Sequence, residues 1–283
     1  MNAQEILRRV EALPPMPHMA LKLLQAAQDP DTNLARVAAW IEQDPAMTAN
    51  LLRACNSPVY GLRTQVTSVR QATSLLGLRK VVQIALTVLS GPYLIPPQTG
   101  YHLEAGDLWR NSVTSALAAE LVAERSRYRE PSTAYTAGLL QDIGKIVLAD
   151  FVGDALQRIR ALTEQEGLSW EAAEERVVGL PHPEVGARLL ERWSFPAPLV
   201  EAVRFHHSPS GATVDPKLAR IAHLADALTI TLGMGLGADG LAYALDEDAV
   251  RDLGVGDPVQ AQELLAELAV RVRKADDLLG GGG

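Results

Sequence analysis

The stretch at residues 138–145, Gly-Leu-Leu-Gln-Asp-Ile-Gly-Lys, sets the carboxylate of Asp142 directly after the amide of Gln141. A His-Asp pair on one helix would give a divalent metal one imidazole and one carboxylate. Gln141 offers only a neutral amide oxygen, which transition metals bind poorly. Lys145 follows one turn after Asp142, where it could meet a phosphate, although a solvated lysine is the expectation. Cys55 lies in an apolar helical run with no histidine near it in sequence, which reads as a buried structural thiol rather than a nucleophile. His223 precedes Asp226 by three residues and could share its helix face, but a surface or capping role is expected of it. His18 and His102 carry no chemical signal.

The elements that must position these groups are helical. Apolar residues recur at intervals of three and four, as at Ala20, Leu23, Leu24 and Ala27, and strict alternation is nearly absent. Asp44-Pro45 places a cap before a proline, and Ser68 with Gln71 makes a capping box that Gly77 closes with a left-handed stop. His182-Pro183-Glu184 opens a further helix in the same way. With 283 residues, 47% of them hydrophobic and only 5% aromatic, the chain predicts an all-α protein of two packed helical bundles. Three prolines and two glycines at residues 91–100 predict a linker between a first bundle at 1–91 and a second at 100–283, with Gly280 to Gly283 as a frayed tail.

Charge and composition exclude several functions. Twenty-six basic against 34 acidic side chains give a net charge of -8, which repels phosphate backbones and argues against general nucleic-acid binding. The most apolar segments are broken by polar residues and proline, so none reads as a membrane span. Neither does the N-terminus carry a secretory core, and a lone cysteine excludes an internal disulfide, so a cytoplasmic location is expected.

Two sets of residues together resemble the HDOD family, a branch related to the HD and HD-GYP phosphohydrolases. The first is Leu13-Pro14-Pro15-Met16-Pro17, Asp29-Pro30, residues 41–45 (Ile-Glu-Gln-Asp-Pro), residues 51–57 (Leu-Leu-Arg-Ala-Cys-Asn-Ser) and the Ser68 to Gly77 element. The second is Leu108-Trp109-Arg110-Asn111-Ser112, residues 138–145, the run from His182 to Ala187, His206-His207 and Ala225-Asp226. Spaced motifs in the family's order, covering nearly the whole chain, are a far stronger signal than any one alone. The resemblance implies that Asp142, His182, His206, His207 and Asp226 stand at ligand positions of active relatives. It also implies that Asn111 and Gln141 stand where such relatives carry histidines.

A hydrolytic HD site needs metal ions to activate water and hold phosphate, and those ions need a nearly full ligand set. Two amides among seven positions weaken it. The five survivors could still hold one residual divalent ion (iron, manganese or zinc), or none. Adjacent histidines point about 100° apart on a helix, so both ligate only at a helix end or in a multi-metal site, and otherwise one of the pair is idle. No catalytic residue is therefore assigned. The resemblance implies a non-catalytic bacterial signalling or regulatory module that binds a protein partner or a small, nucleotide-like ligand. The alternative is a metal-dependent phosphohydrolase acting on a nucleotide or cyclic dinucleotide.

Overall fold

The computed structural model describes residues 3–29, 31–235, 237–239 and 245–279, so Pro30 and the glycine tail named above lie outside the described residues. The fold is all-α, as the apolar period predicts. The N-terminal helices are α1 (Ala3–Ala12), α2 (His18–Gln28), α3 (Leu34–Glu42), α4 (Pro45–Cys55), α5 (Val69–Leu76) and α6 (Leu78–Leu94). Their caps are mostly those the sequence signals. The Asp44 side chain accepts the Met47 N–H with Pro45 in the first turn, and Ser68 accepts the Gln71 N–H. The return bond of that box differs, because Gln71 Oε1 accepts from the Thr67 rather than the Ser68 backbone N–H. Gly77 has φ +81°, which an L side chain rarely adopts, and it ends α5 and starts α6 at once.

The proline-rich span begins later than composition suggests. Helix α6 runs through Gly91 and Pro92 to Leu94, so the chain leaves the helix only beyond Leu94. Pro92 costs one helical hydrogen bond there, because it has no N–H to give the Val88 carbonyl. Packing of the buried face made by Val81, Ile84, Ala85 and Leu94 outweighs that loss, each large buried aliphatic contributing about 1.5–3 kcal/mol.

The C-terminal helices are α7 (Asp107–Arg125), α8 (Pro131–Leu140), α9 (Lys145–Glu166), α10 (Trp170–Val178), α11 (His182–Arg192), α12 (Ala197–Phe205), α13 (Pro216–Thr231), α14 (Glu247–Asp252), α15 (Pro258–Lys274) and α16 (Asp276–Leu279). Helix α7 is the centre of this half. Its residues are buried on nearly every side from Leu108 to Ala123, and α8 and α13 pack along it. The approach of α8 depends on a missing side chain, since a Cβ on Gly138 would lie 2.4 Å from the Ser115 carbonyl oxygen. Helix α1 packs on α9 and α11, and the buried apolar side chains form one cluster that extends from Ile6 to Ala275. No helix among the described residues is long and apolar enough to cross a membrane.

Candidate functional site

Residues 141–144 form a tight turn between α8 and α9, so Asp142 is delivered by the turn and Lys145 by the first position of α9. The Lys145 N–H donates to the Asp142 carbonyl at 3.0 Å, which closes that turn. Gly144 lets it press against α11: a Cβ there would stand 2.0 Å from the His182 carbonyl oxygen and 2.6 Å from the Gly186 nitrogen. His182 is the first residue of α11, with Pro183 second, and His206 and His207 follow directly on the end of α12. Placement at a helix end frees both adjacent rings to turn the same way, so neither is set aside. One donor nitrogen from each of His182, His206 and His207 lies within 4.8 Å of the others.

Asp142 joins these imidazoles. Its Oδ1 is 3.4 Å from His182 Nε2 and 4.0 Å from His206 Nε2, and the residue is 2% exposed. His182 Nε2 and His207 Nε2 are 3.1 Å apart. Asp226 stands on the far side, with Oδ2 3.7 Å from His207 Nδ1. The Gln141 side-chain amide donates to Asp226 Oδ1 at 2.9 Å and to Ser115 Oγ at 3.3 Å. Asn111 is held at the edge, its amide donating 3.2 Å to the Met234 carbonyl on the segment after α13. Thus Asp142, His182, His206, His207, Asp226, Gln141 and Lys145 come together, whereas Asn111 makes its described bond outside the imidazole group.

The protonation of these histidines follows from their partners and their burial. His206 Nδ1–H donates to the Val203 carbonyl at 2.7 Å, which leaves Nε2 as a buried lone pair with no partner among the described residues. Burial pushes the His206 pKa down to about 3, and burial with the neighbouring His206 and His182 pushes His207 well below the usual histidine range. His182 goes the other way. Burial opposes its charge, but Glu174 and Asp142 outweigh that and raise its pKa to about 10. The doubly protonated ring donates from Nδ1 to Glu174 Oε2 at 2.8 Å and from Nε2 to His207.

Glu174 was not singled out by sequence. It is fully buried on α10 and its oxygens accept from the His182 backbone N–H at 2.8 Å, the Tyr101 hydroxyl at 2.6 Å and the Trp170 indole at 2.9 Å. A carboxylate behind a histidine fixes the ring and its basicity, as in metal sites. Only the four-residue spacing of Trp170 and Glu174 was readable in advance, and that spacing is commonplace.

Two expectations are corrected. Lys145 is not a solvated lysine: its Nζ lies 2.9 Å from Asp142 Oδ1 and 2.6 Å from Asp239 Oδ2, with the side chain 8% exposed. Burial disfavours the ammonium, but the two carboxylates hold its pKa well above the usual value. In turn, Asp142 is held well below the usual carboxylate range, because Lys145 and then His182 overcome its burial. His223 is not on the surface. It is fully buried, donates from Nδ1 to the His206 carbonyl at 2.8 Å and accepts the Asp246 N–H on Nε2 at 2.9 Å. It thereby ties the His206 backbone to the start of α14. Cys55 agrees with its reading, fully buried and with burial pushing its thiol up to about 11.

The donor set fits one metal ion better than a pair. A nitrogen from each of three imidazoles converges with the Asp142 carboxylate, that of His182 becoming a donor once its proton leaves, and the buried His206 Nε2 has no partner among the described residues. Around Asp226 the donors are weaker: Gln141 gives an N–H to that carboxylate, and the buried oxygens of the Gln141 and Asn111 side chains, without a partner among the described residues, are neutral amide oxygens rather than imidazole nitrogens.

The fold and this site place the chain among known proteins. Residues 13–209 match the model of the HDOD domain, and the chain belongs to the HDOD domain family. A solved HDOD domain protein of Geobacter sulfurreducens is 28% identical with a TM-score of 0.79, covering 98% of this chain and 96% of its own. A candidate phosphohydrolase of Shewanella amazonensis SB2B, 23% identical, shares the fold with a TM-score of 0.73 over 97% of each chain. A candidate signal-transduction protein of Marinobacter aquaeolei VT8, also 23% identical, does so with a TM-score of 0.77 over 98% of this chain and 65% of its own. A Treponema pallidum (strain Nichols) protein is 26% identical over 207 residues, and those residues amount to 73% of this chain but 40% of that relative.

Proposed function

We propose that this protein is a non-catalytic signalling or regulatory module of the bacterial cytoplasm, one that binds a protein partner or a small nucleotide-like ligand. The reading rests on Gln141, whose amide N–H groups point at Asp226 Oδ1 and Ser115 Oγ. A pair of metal ions would need strong donors there, and the neutral amides of Gln141 and Asn111 are poor ones. The resident charge of Lys145, matched by Asp142 and Asp239, further balances the site without a second ion. On this reading the first 91 residues and those from about 100 onward are two helical units sharing one core, and the partner docks on the pair.

A residual mononuclear metal is favoured by the convergence of three imidazole nitrogens within 4.8 Å. His182, His206, His207 and Asp142 would hold it, with Asp226 beside them. Such an ion supplies Lewis acidity and a more acidic bound water. Lys145 and Asp239 would set the charge at its edge. Turnover separates this module from the rival, a metal-dependent phosphohydrolase acting on a nucleotide or cyclic dinucleotide. Protein loaded with manganese or iron is offered bis-p-nitrophenyl phosphate, nucleoside monophosphates and cyclic dinucleotides, and no multiple turnover is expected. Hydrolysis abolished by Asp142→Ala would replace the proposal with the rival.

A further inference from the structure

A cavity of about 480 Å³ opens between α4, α6, α7 and α16, away from the histidine site. Its volume falls within the ~300–1,000 Å³ common to small-molecule sites. Val88, Pro92, Ile95 and the ring of Trp109 supply apolar walls, and Leu278 of α16 closes one side. Trp109 is fixed there, its indole N–H donating 2.8 Å to the Leu278 carbonyl. Thr87 also lines the cavity, but its hydroxyl is already bonded to the Gln83 carbonyl and the Tyr135 hydroxyl. The uncommitted polar groups are the side chains of Asn50 and Arg53, three residues apart on α4, and neither has a partner among the described residues.

Charge decides the ligand class. Among the described residues lining the cavity Arg53 alone is charged, in a chain whose net charge is -8. A second cavity of about 400 Å³ carries Arg79 and Asp29 together, and a third of about 40 Å³ carries Arg79 with its ion-pair partner Glu130, 3.2 Å away. Of these three, the first alone sets a cation with no ion-pair partner among the described residues, the exposed Arg53, beside an apolar, partly aromatic wall. We propose that it is a binding site for a small organic anion, a carboxylate or phosphate monoester carried on a ring-sized apolar body. The acid pairs with Arg53, whose planar fork matches either group, and the body lies against Trp109, Val88 and Ile95. Trp109 and Asn111 are two residues apart on α7 and so point about 200° apart, which puts this cavity behind the histidine site with α7 between them. An occupant would brace the N-terminal helices against α7 and α16.

Three probes test the site by calorimetry on the full chain: 2-naphthoate, 2-naphthyl phosphate and the uncharged 2-naphthalenemethanol. One or both anions should bind at one per chain and at least tenfold more tightly than the alcohol, and Arg53→Ala should remove that preference. Gly91→Leu should abolish binding of every probe, because a Cβ at Gly91 lies 3.4 Å from Ile95 Cδ1 and 4.0 Å from Trp109 Cζ3, among the cavity walls. If circular dichroism shows that variant unfolded, Ala54→Met fills the cavity from α4 instead. The proposal is overturned if no probe binds at one per chain, if the anion preference survives Arg53→Ala, or if the folded filled variant binds as the natural chain does. It is equally overturned if sedimentation finds a dimer that the filled variant disperses, since a second copy would then be the occupant. Metal content and turnover at the histidine site do not enter any of these outcomes.

Discussion

His182 Nε2 and His207 Nε2 stand 3.1 Å apart, and the proton between them belongs to His182, because Glu174 and Asp142 hold that ring's charge while burial keeps His207 neutral. His182 is also one of the three histidines whose nitrogens would hold a metal. It follows that any metal must first displace a proton from His182.

Metal affinity should therefore depend steeply on pH. With the His182 pKa at about 10, each unit of pH across the range 6–8 should tighten manganese or zinc binding about tenfold, by linkage to one released proton. Competition titrations with a chelator of known affinity at three pH values measure it. A flat profile would mean that His182 is not a ligand.

The metal-free protein should be most stable near pH 6.5. Below that value the unfolded chain protonates His206, His207 and His223, whose folded pKa values are all lowered, and Asp226 offsets only one of these protons because burial, with Asp142, raises it to about 8. Unfolding thus takes up protons, and stability falls as pH falls. Above 6.5 the folded state retains the protons of Asp226 and His182 that the unfolded chain gives up, so stability falls again as pH rises through 8 and then 10. Each unmatched proton is worth about 1.4 kcal/mol per pH unit. Urea midpoints across pH 4.5–9.5 should trace a dome, and a steady rise to pH 9 would contradict these protonation states.

Glu174→Ala should cost about 3–5 kcal/mol of stability, since it strands the His182 ring and backbone N–H, the Tyr101 hydroxyl and the Trp170 indole in a buried place. Glu174→Gln keeps an acceptor but removes the charge, so it should cost less while moving the His182 titration down toward the ordinary histidine range. Histidine ring NMR on the Gln variant reads that movement directly. No movement would place the cause of the raised value elsewhere.

The double change Asn111→His and Gln141→His should raise manganese or iron affinity above that of the natural chain, because each replaces an amide by a neutral nitrogen donor. Gln141→His should supply most of the gain, as Gln141 already touches Asp226 whereas Asn111 bonds the Met234 carbonyl. Calorimetry of the metal-free variants decides it. Equal affinities in a folded double variant would remove both positions from the ligand sphere.

The two-unit organisation predicts where the chain is cut first. Proteinase K should cleave at residues 95–99, beyond the end of α6, before it cleaves within 139–148, where the chain is almost wholly buried. Initial cleavage inside the buried turn would count against that boundary.

Much of this protein was fixed by its order of residues. The interval of three and four between apolar side chains determines helices, and Asp44, Pro45, Ser68 and Gly77 set helix ends through bonds to near neighbours. The motif residues at 141–142, 182, 206–207 and 226 could be matched to a family because each lies in a short local pattern. What depended on distant segments was not legible. Lys145 reads as a surface lysine until α9 is buried and Asp239, far along the chain, arrives at 2.6 Å. Glu174 and His223 look ordinary until α10 is laid behind His182 and α14 reaches His223. Only the tertiary structure brings opposite charges and lone pairs together in a medium that no longer screens them, and that sets the opposite pKa shifts of His182 and His206.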